Sequence, residues 1–107
     1  MKILDMLVEM VRVVHLAAGK VARHDRDLAQ QMKRASTSVA LNGSEGLYAK
    51  AGKRRSRLED AVNSARETLM ALRLAGACGY LPADEAAVAV REVDSVIRVL
   101  WVLAYRR

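Results

Sequence analysis

The sequence predicts an all-α protein, an up-down-up-down antiparallel four-helix bundle built as a single domain over residues 1–107, and three observations carry that expectation. Apolar residues recur every three or four positions along four long segments, the period of a helix with one buried face. Ala, Leu, Val and Met supply those faces while Phe is absent and Pro occurs once, a composition suited to helices rather than to strands with aromatic ladders. The breaks between segments are short, so consecutive helices must turn back on one another.

The first helix covers residues 2–22, where Leu4, Leu7, Val8, Val11, Val14, Ala18 and Ala22 share one face. Gly19 and the charged run RHDRD mark its end, and Asp25 or Asp27 can cap the next helix. That second helix covers 26–48, with Leu28, Met32, Ala35, Val39 and Gly46 inward. The corner AKAGKRRS follows, with Gly52 as the expected breaker. A third helix over 53–78 turns Leu58, Ala61, Ala65, Thr68, Leu72 and Ala75 or Gly76 inward and stops at Gly79, placed for a left-handed C-terminal cap. The fourth covers 82–105. Pro82 suits its first turn, Asp84 and Glu85 suit the positive end of its dipole, and Ala86, Val90, Val93, Ile97, Leu100 and Ala104 form its inner stripe.

Apolar residues make up 52% of the chain, more than one small core absorbs, and a subunit interface is the simplest place for the excess. On the first helix Met6, Met10, Val13 and Ala17 form a second stripe beside the core face. On the fourth, Val99, Trp101, Val102 and Leu103 make the last turns apolar nearly all round. Met6, Met10, Val13, Val99, Trp101, Val102 and Leu103 are therefore the candidate oligomer interface, with Trp101 as its anchor.

Residues 33–46, KRASTSVALNGSEG, thread polar side chains through an otherwise apolar helix. On a helical wheel Arg34, Ser38 and Glu45 border the core stripe and Asn42 falls within it. Folding the third helix back about residue 50 sets Arg34 level with Glu67, Ser38 level with Asn63 and Ser64, and Asn42 level with Glu59 or Asp60. The expected result is a semi-buried network of Arg34, Ser38, Asn42, Glu45, Ser64 and Glu67 centred on an Arg34–Glu67 ion pair, because a buried charge without a partner costs several kcal/mol. Glu45 lies at the negative end of its helix dipole, so Lys50, Lys53 or Arg57 should hold it.

The stretch QMKRASTSVALNGSEG, followed by AVNSARETLMALRLAGACGYL, resembles bacterial four-helix-bundle proteins first noticed as reading frames in the intervening sequences of large-subunit ribosomal RNA genes. Gln31, Arg34, Ala35, Ser38, Asn42, Glu45 and Gly46 match the first half of that pattern; Ala61, Ser64, Glu67, Gly79 and Tyr80 match the second. Lys33, Ala49 and Asn63 depart from it. The resemblance implies a bundle that can assemble as a ring of five, as related accessory variability determinants of diversity-generating retroelements do. Those relatives bind a reverse transcriptase and nucleic acid.

Two functional readings follow. One is a non-enzymatic oligomeric scaffold or interaction protein in which the polar network fixes helix register. The alternative rests on a net charge of +6. Lys2, Lys50, Lys53, Arg54, Arg55, Arg57, Arg106 and Arg107 gather at one end of the bundle, partly offset by Asp5, Glu59 and Asp60. Such a pole suits sequence-independent binding of RNA, DNA or a ribonucleoprotein, with Tyr48 and Tyr105 close enough to stack on bases. An enzyme is not expected. His15, His24 and Cys78 are too scattered for a metal-ligand set, no phosphate loop or nucleophile motif occurs, and no cofactor is implied. His15 reads as a packed histidine and Cys78 as a packing residue. The single cysteine and the interruption of the N-terminal apolar run by Asp5, Glu9 and Arg12 point to the cytoplasm.

Overall fold

The computed structural model describes residues 2–106 as four helices: α1 (Ile3–Val21), α2 (Arg26–Tyr48), α3 (Ala51–Ala77) and α4 (Ala83–Tyr105). They form an all-α bundle measuring 42 × 23 × 19 Å, and no strand occurs among the described residues. Contacts between neighbouring helices run in opposite order along the two partners. Thr37 meets His15 and the backbone at Gly43 meets Leu7 between α1 and α2. Ser38 meets Ser64, and Gly46 meets Leu58, between α2 and α3. Gly76 meets Ala86 and Glu59 meets Tyr105 between α3 and α4, while Lys20 pairs with Glu85 between α1 and α4. This is the order an up-down-up-down arrangement requires.

The core runs along the axis, where Leu7, Met10, Val14, Met32, Val39, Leu58, Leu72, Val93, Val96 and Leu100 are essentially inaccessible. The inner faces of α2, α3 and α4 lie close to the expected ones, although Ala89 and Val96 join Val93 and Leu100 in the buried set of α4 while Val90 and Ile97 are only half-buried. The first helix is different. Met10 and Val21 face the core while Leu4 and Val8 are exposed. Two apolar stripes lie side by side on this helix, and its buried face runs between them, keeping Leu7, Val14 and Ala18 from the expected stripe and taking Met10 from the other. Met10 is therefore a core residue, not part of an oligomer interface.

Helix boundaries follow from local chemistry. Asp25 caps α2, its Oδ1 accepting from the Leu28 amide at 2.9 Å. Gly79 ends α3 with φ +75, and the Tyr80 amide donates to the Ala75 carbonyl (2.9 Å) while the Gly79 amide donates to that of Gly76 (3.1 Å), the paired bonds of a Schellman cap. Pro82 sits at the cap position just before α4, with Asp84 and Glu85 in the first turn. The second corner is tighter than expected. Gly52 is not the breaker: it lies inside the first turn of α3, and the chain reverses through Ala49 and Lys50, both extended. The Arg54 guanidinium closes this corner from the side by donating through Nη1 to the Leu47 carbonyl at 3.1 Å, satisfying a group that the end of α2 leaves free.

Candidate functional site

Between α2 and α3 lies a polar seam. Its centre is the 2.9 Å hydrogen bond joining the Ser38 and Ser64 hydroxyls, to which Asn42 adds a bond from Nδ2 to Ser38 Oγ at 3.0 Å. One turn further along α3, the fully buried Thr68 hydroxyl donates to the Ser64 carbonyl at 2.9 Å. No buried side-chain nitrogen or oxygen lacks a partner among the described residues. Below this group Gly46 lets the helices close up, since a Cβ there would sit 2.8 Å from Leu58 Cγ and 3.2 Å from the Leu58 amide nitrogen.

The six residues of the expected network are thus only partly joined. Ser38, Asn42 and Ser64 form the bonded centre, and Glu45 pairs with Arg57 Nε at 3.3 Å on the surface. Arg34 and Glu67 do not make the ion pair that was to organise the seam. Both are exposed and line a shared groove without reaching each other. Long side chains at the rim of a seam can reach water, so neither charge has to be paired. A second groove, about 520 Å³, runs beside Lys33, Arg34, Thr37, Ser38, Asn42 and Arg57.

At the end of the bundle where α2 passes into α3 and α4 finishes, the basic residues are divided between internal and free roles. Arg54 holds Leu47, Arg57 holds Glu45, and the Arg55 guanidinium carbon lies 4.7 Å from the centre of the Tyr105 ring. Lys50, Lys53 and Arg106 are exposed and take part in no ion pair among the described residues. Arg107 lies outside the described residues. Tyr105 donates its hydroxyl hydrogen to Glu59, which holds the phenol above the ordinary tyrosine value, while Arg55 and Arg66 pull weakly the other way. Its ring meets Trp101 at 4.3 Å between centroids and a tilt of 49°, and Arg66 lies 5.7 Å from the Trp101 ring. Tyr48, the other candidate for stacking, is exposed at the end of α2.

The α1–α4 face has the opposite character. Val13, Leu16 and Ala17 of α1 and Val88 and Ala89 of α4 line an apolar groove of about 410 Å³, closed at one end by Lys20, Asp84 and Glu85. Leu16 is 62% exposed and Val88 51%. Met6 continues this edge along α1, and Val99 and Leu103 continue it along α4, at helical spacing. Val102 is exposed on the outside of α4. Trp101 projects instead toward α3, among Ser56, Glu59, Asp60, Asn63 and Arg66, surroundings too polar for the anchor of an apolar interface. Sequence periodicity missed Leu16 and Val88 because each stands off its helix's main stripe; only the neighbouring helix shows that they flank one groove.

His15 is half-buried, its Nε2 3.3 Å from the Thr37 hydroxyl, as a packed histidine should be. Cys78, expected to pack, is exposed at the end of α3. His24 stacks on Tyr80 with ring centroids 5.2 Å apart and an interplanar angle of 7°, joining the two corners at the far end of the bundle; nothing in the sequence pattern foretold that pair. Among the described residues, no cluster of three or more His, Cys, Asp or Glu side chains could hold a metal ion, and no helix is long and apolar enough to cross a membrane.

Comparison with known proteins follows the same architecture. The family model described as 23S rRNA-intervening sequence protein matches residues 2–101. The crystal structure of a protein of unknown function from the S23 ribosomal protein family of Bacteroides thetaiotaomicron VPI-5482 superposes with a TM-score of 0.87 at 20% identity, covering 97% of this chain and 99% of that one. At that identity the likeness shows the fold alone. No curated protein matches the chain.

Proposed function

The chain belongs to the 23S rRNA-intervening sequence protein family, and from that premise we propose that it is a non-enzymatic, oligomer-forming helical scaffold whose α1–α4 face docks on further copies of itself. The observation that carries this reading is the apolar groove around Val13, Leu16, Ala17 and Val88, whose exposed side chains gain by leaving water. The polar seam supports it from inside. Ser38, Asn42 and Ser64 bond to one another within the protomer, which suits a role in setting the register of α2 against α3, and among the described residues no buried side-chain polar atom lacks a partner. A ring of five is the assembly that the family resemblance implies.

Light scattering of the purified protein tests the proposal. The expected mass is a multiple of the 11.8 kDa protomer, and Leu16→Asp should reduce it to the protomer while helical circular dichroism is unchanged. A wild-type protein that runs as a monomer at micromolar concentration contradicts it.

A second reading is favoured by one specific observation: Lys50, Lys53 and Arg106 make no ion pair among the described residues and lie beside an exposed Arg55–Tyr105–Trp101–Arg66 array. Such a surface suits single-stranded nucleic acid, with cations on phosphates and rings on bases. Binding of a labelled oligonucleotide at about 50 mM salt, lost steeply as salt rises and lost on replacing Lys50, Lys53 and Arg106, is the expected behaviour.

A further inference from the structure

We propose that the cleft between α3 and α4 is a nucleobase pocket: an unpaired base, guanine in preference to the others, stacks on Trp101 with its Watson–Crick edge toward Asp60 and Asn63. This rests on the second reading above and assigns to it a site that charge alone does not specify. The cleft has a volume of about 470 Å³, ample for one base, and is lined by Ser56, Glu59, Asp60, Asn63, Trp101 and Tyr105. Trp101 is 46% exposed and meets Tyr105 at a 49° tilt rather than in a parallel stack. Arg66 lies over the ring at 5.7 Å, at the outer edge of cation–π range, and this exposed side chain must swing aside to a phosphate when a base stacks.

The edge chemistry selects the base. Glu59 is already occupied by the Tyr105 hydroxyl, whereas the exposed Asp60 has no ion-pair partner among the described residues. A carboxylate only accepts hydrogen bonds, and guanine is the base that offers two adjacent donors, its ring N–H and its exocyclic amine. Asn63, one turn further along α3, can donate to the neighbouring guanine carbonyl. A paired base hides that edge, so the pocket reads single strands.

Trp101 is the chain's sole tryptophan, which makes its fluorescence a direct reporter. Titrating the intact protein with guanosine monophosphate should quench it, adenosine and uridine monophosphates more weakly. A 12-nucleotide oligouridine carrying two central guanosines should bind several-fold more tightly than oligouridine alone. Trp101→Ala should weaken the guanosine oligomer by about tenfold, and Asp60→Asn should erase the preference for guanine while oligouridine binding is retained. Oligomers that bind in a salt-dependent way without quenching and without regard to guanosine would overturn the pocket and leave the basic pole standing. Absence of all oligonucleotide binding at low salt would overturn both. Quenching by an arginine-rich peptide but not by guanosine monophosphate would overturn the pocket in favour of a guanidinium ligand.

Discussion

The α2–α3 seam and the α1–α4 face are built from adjacent helices of one bundle, yet they solve opposite problems. In the seam, Gly46 brings the helices together over Leu58, and Ser38, Asn42 and Ser64 bond across the contact. On the other face Leu16 and Val88 stay in water beside an apolar groove, and the cross-helix polar contact is the Lys20–Glu85 pair at its rim. The seam bonds within the protomer, whereas the groove keeps apolar side chains in water. Polar residues inside a bundle therefore mark where its own register is set, and leftover apolar ones mark where another molecule can be accommodated.

The largest expected effect on stability breaks the seam. Gly46→Ala places a methyl group against both the side chain and the backbone of Leu58, so its helix-propensity gain is outweighed and unfolding in urea should show a loss of about 1–3 kcal/mol. By contrast Gly19→Ala, with nothing within 4 Å of the new Cβ, should stabilise. A next, smaller effect is expected at the hydroxyl pair. Ser64→Ala should lower stability by about 1 kcal/mol, and because Ser38→Ala removes the same bond, a double-mutant cycle should return a coupling of at least about 0.5 kcal/mol. Smaller still is Glu67→Ala. An ion pair with Arg34 would have made it severe, but both groups are exposed and unpaired with each other, so the change should stay within about 0.5 kcal/mol.

The fold was legible in the sequence because one period governs each segment. Leu58, Ala61, Ala65, Thr68, Leu72 and Ala75 recur at helical spacing and all are buried, and Asp25 and Gly79 carry cap chemistry at the positions where α2 starts and α3 stops. The first helix was misread at Leu4 and Val8 because two stripes of equal apolarity compete, and only the packing of α2 and α4 decides between them. The Arg34–Glu67 pairing failed for a related reason. Matching heights on two helices do not bring long side chains together when each can extend into water. The Ser38–Ser64 pair succeeded because short side chains at matching heights have nowhere else to go.

The smallest expected effect concerns the pole. The bond from Tyr105 to Glu59 holds the phenol above the usual value of about 10, so the protonated form is favoured in the folded protein. The contact's contribution is fully present below the unfolded value and is lost as pH rises through the raised folded value. Ultraviolet titration should show Tyr105 ionising above the ordinary tyrosine value, and Glu59→Gln should lower it again.

The most direct test of the central claim is the mass in solution of the wild-type protein beside the Leu16→Asp variant, measured by light scattering at matched concentration. The account predicts an assembly of several protomers for the first and a folded protomer for the second. Equal masses for the two proteins, whether both assembled or both monomeric, would contradict the assignment of the α1–α4 face.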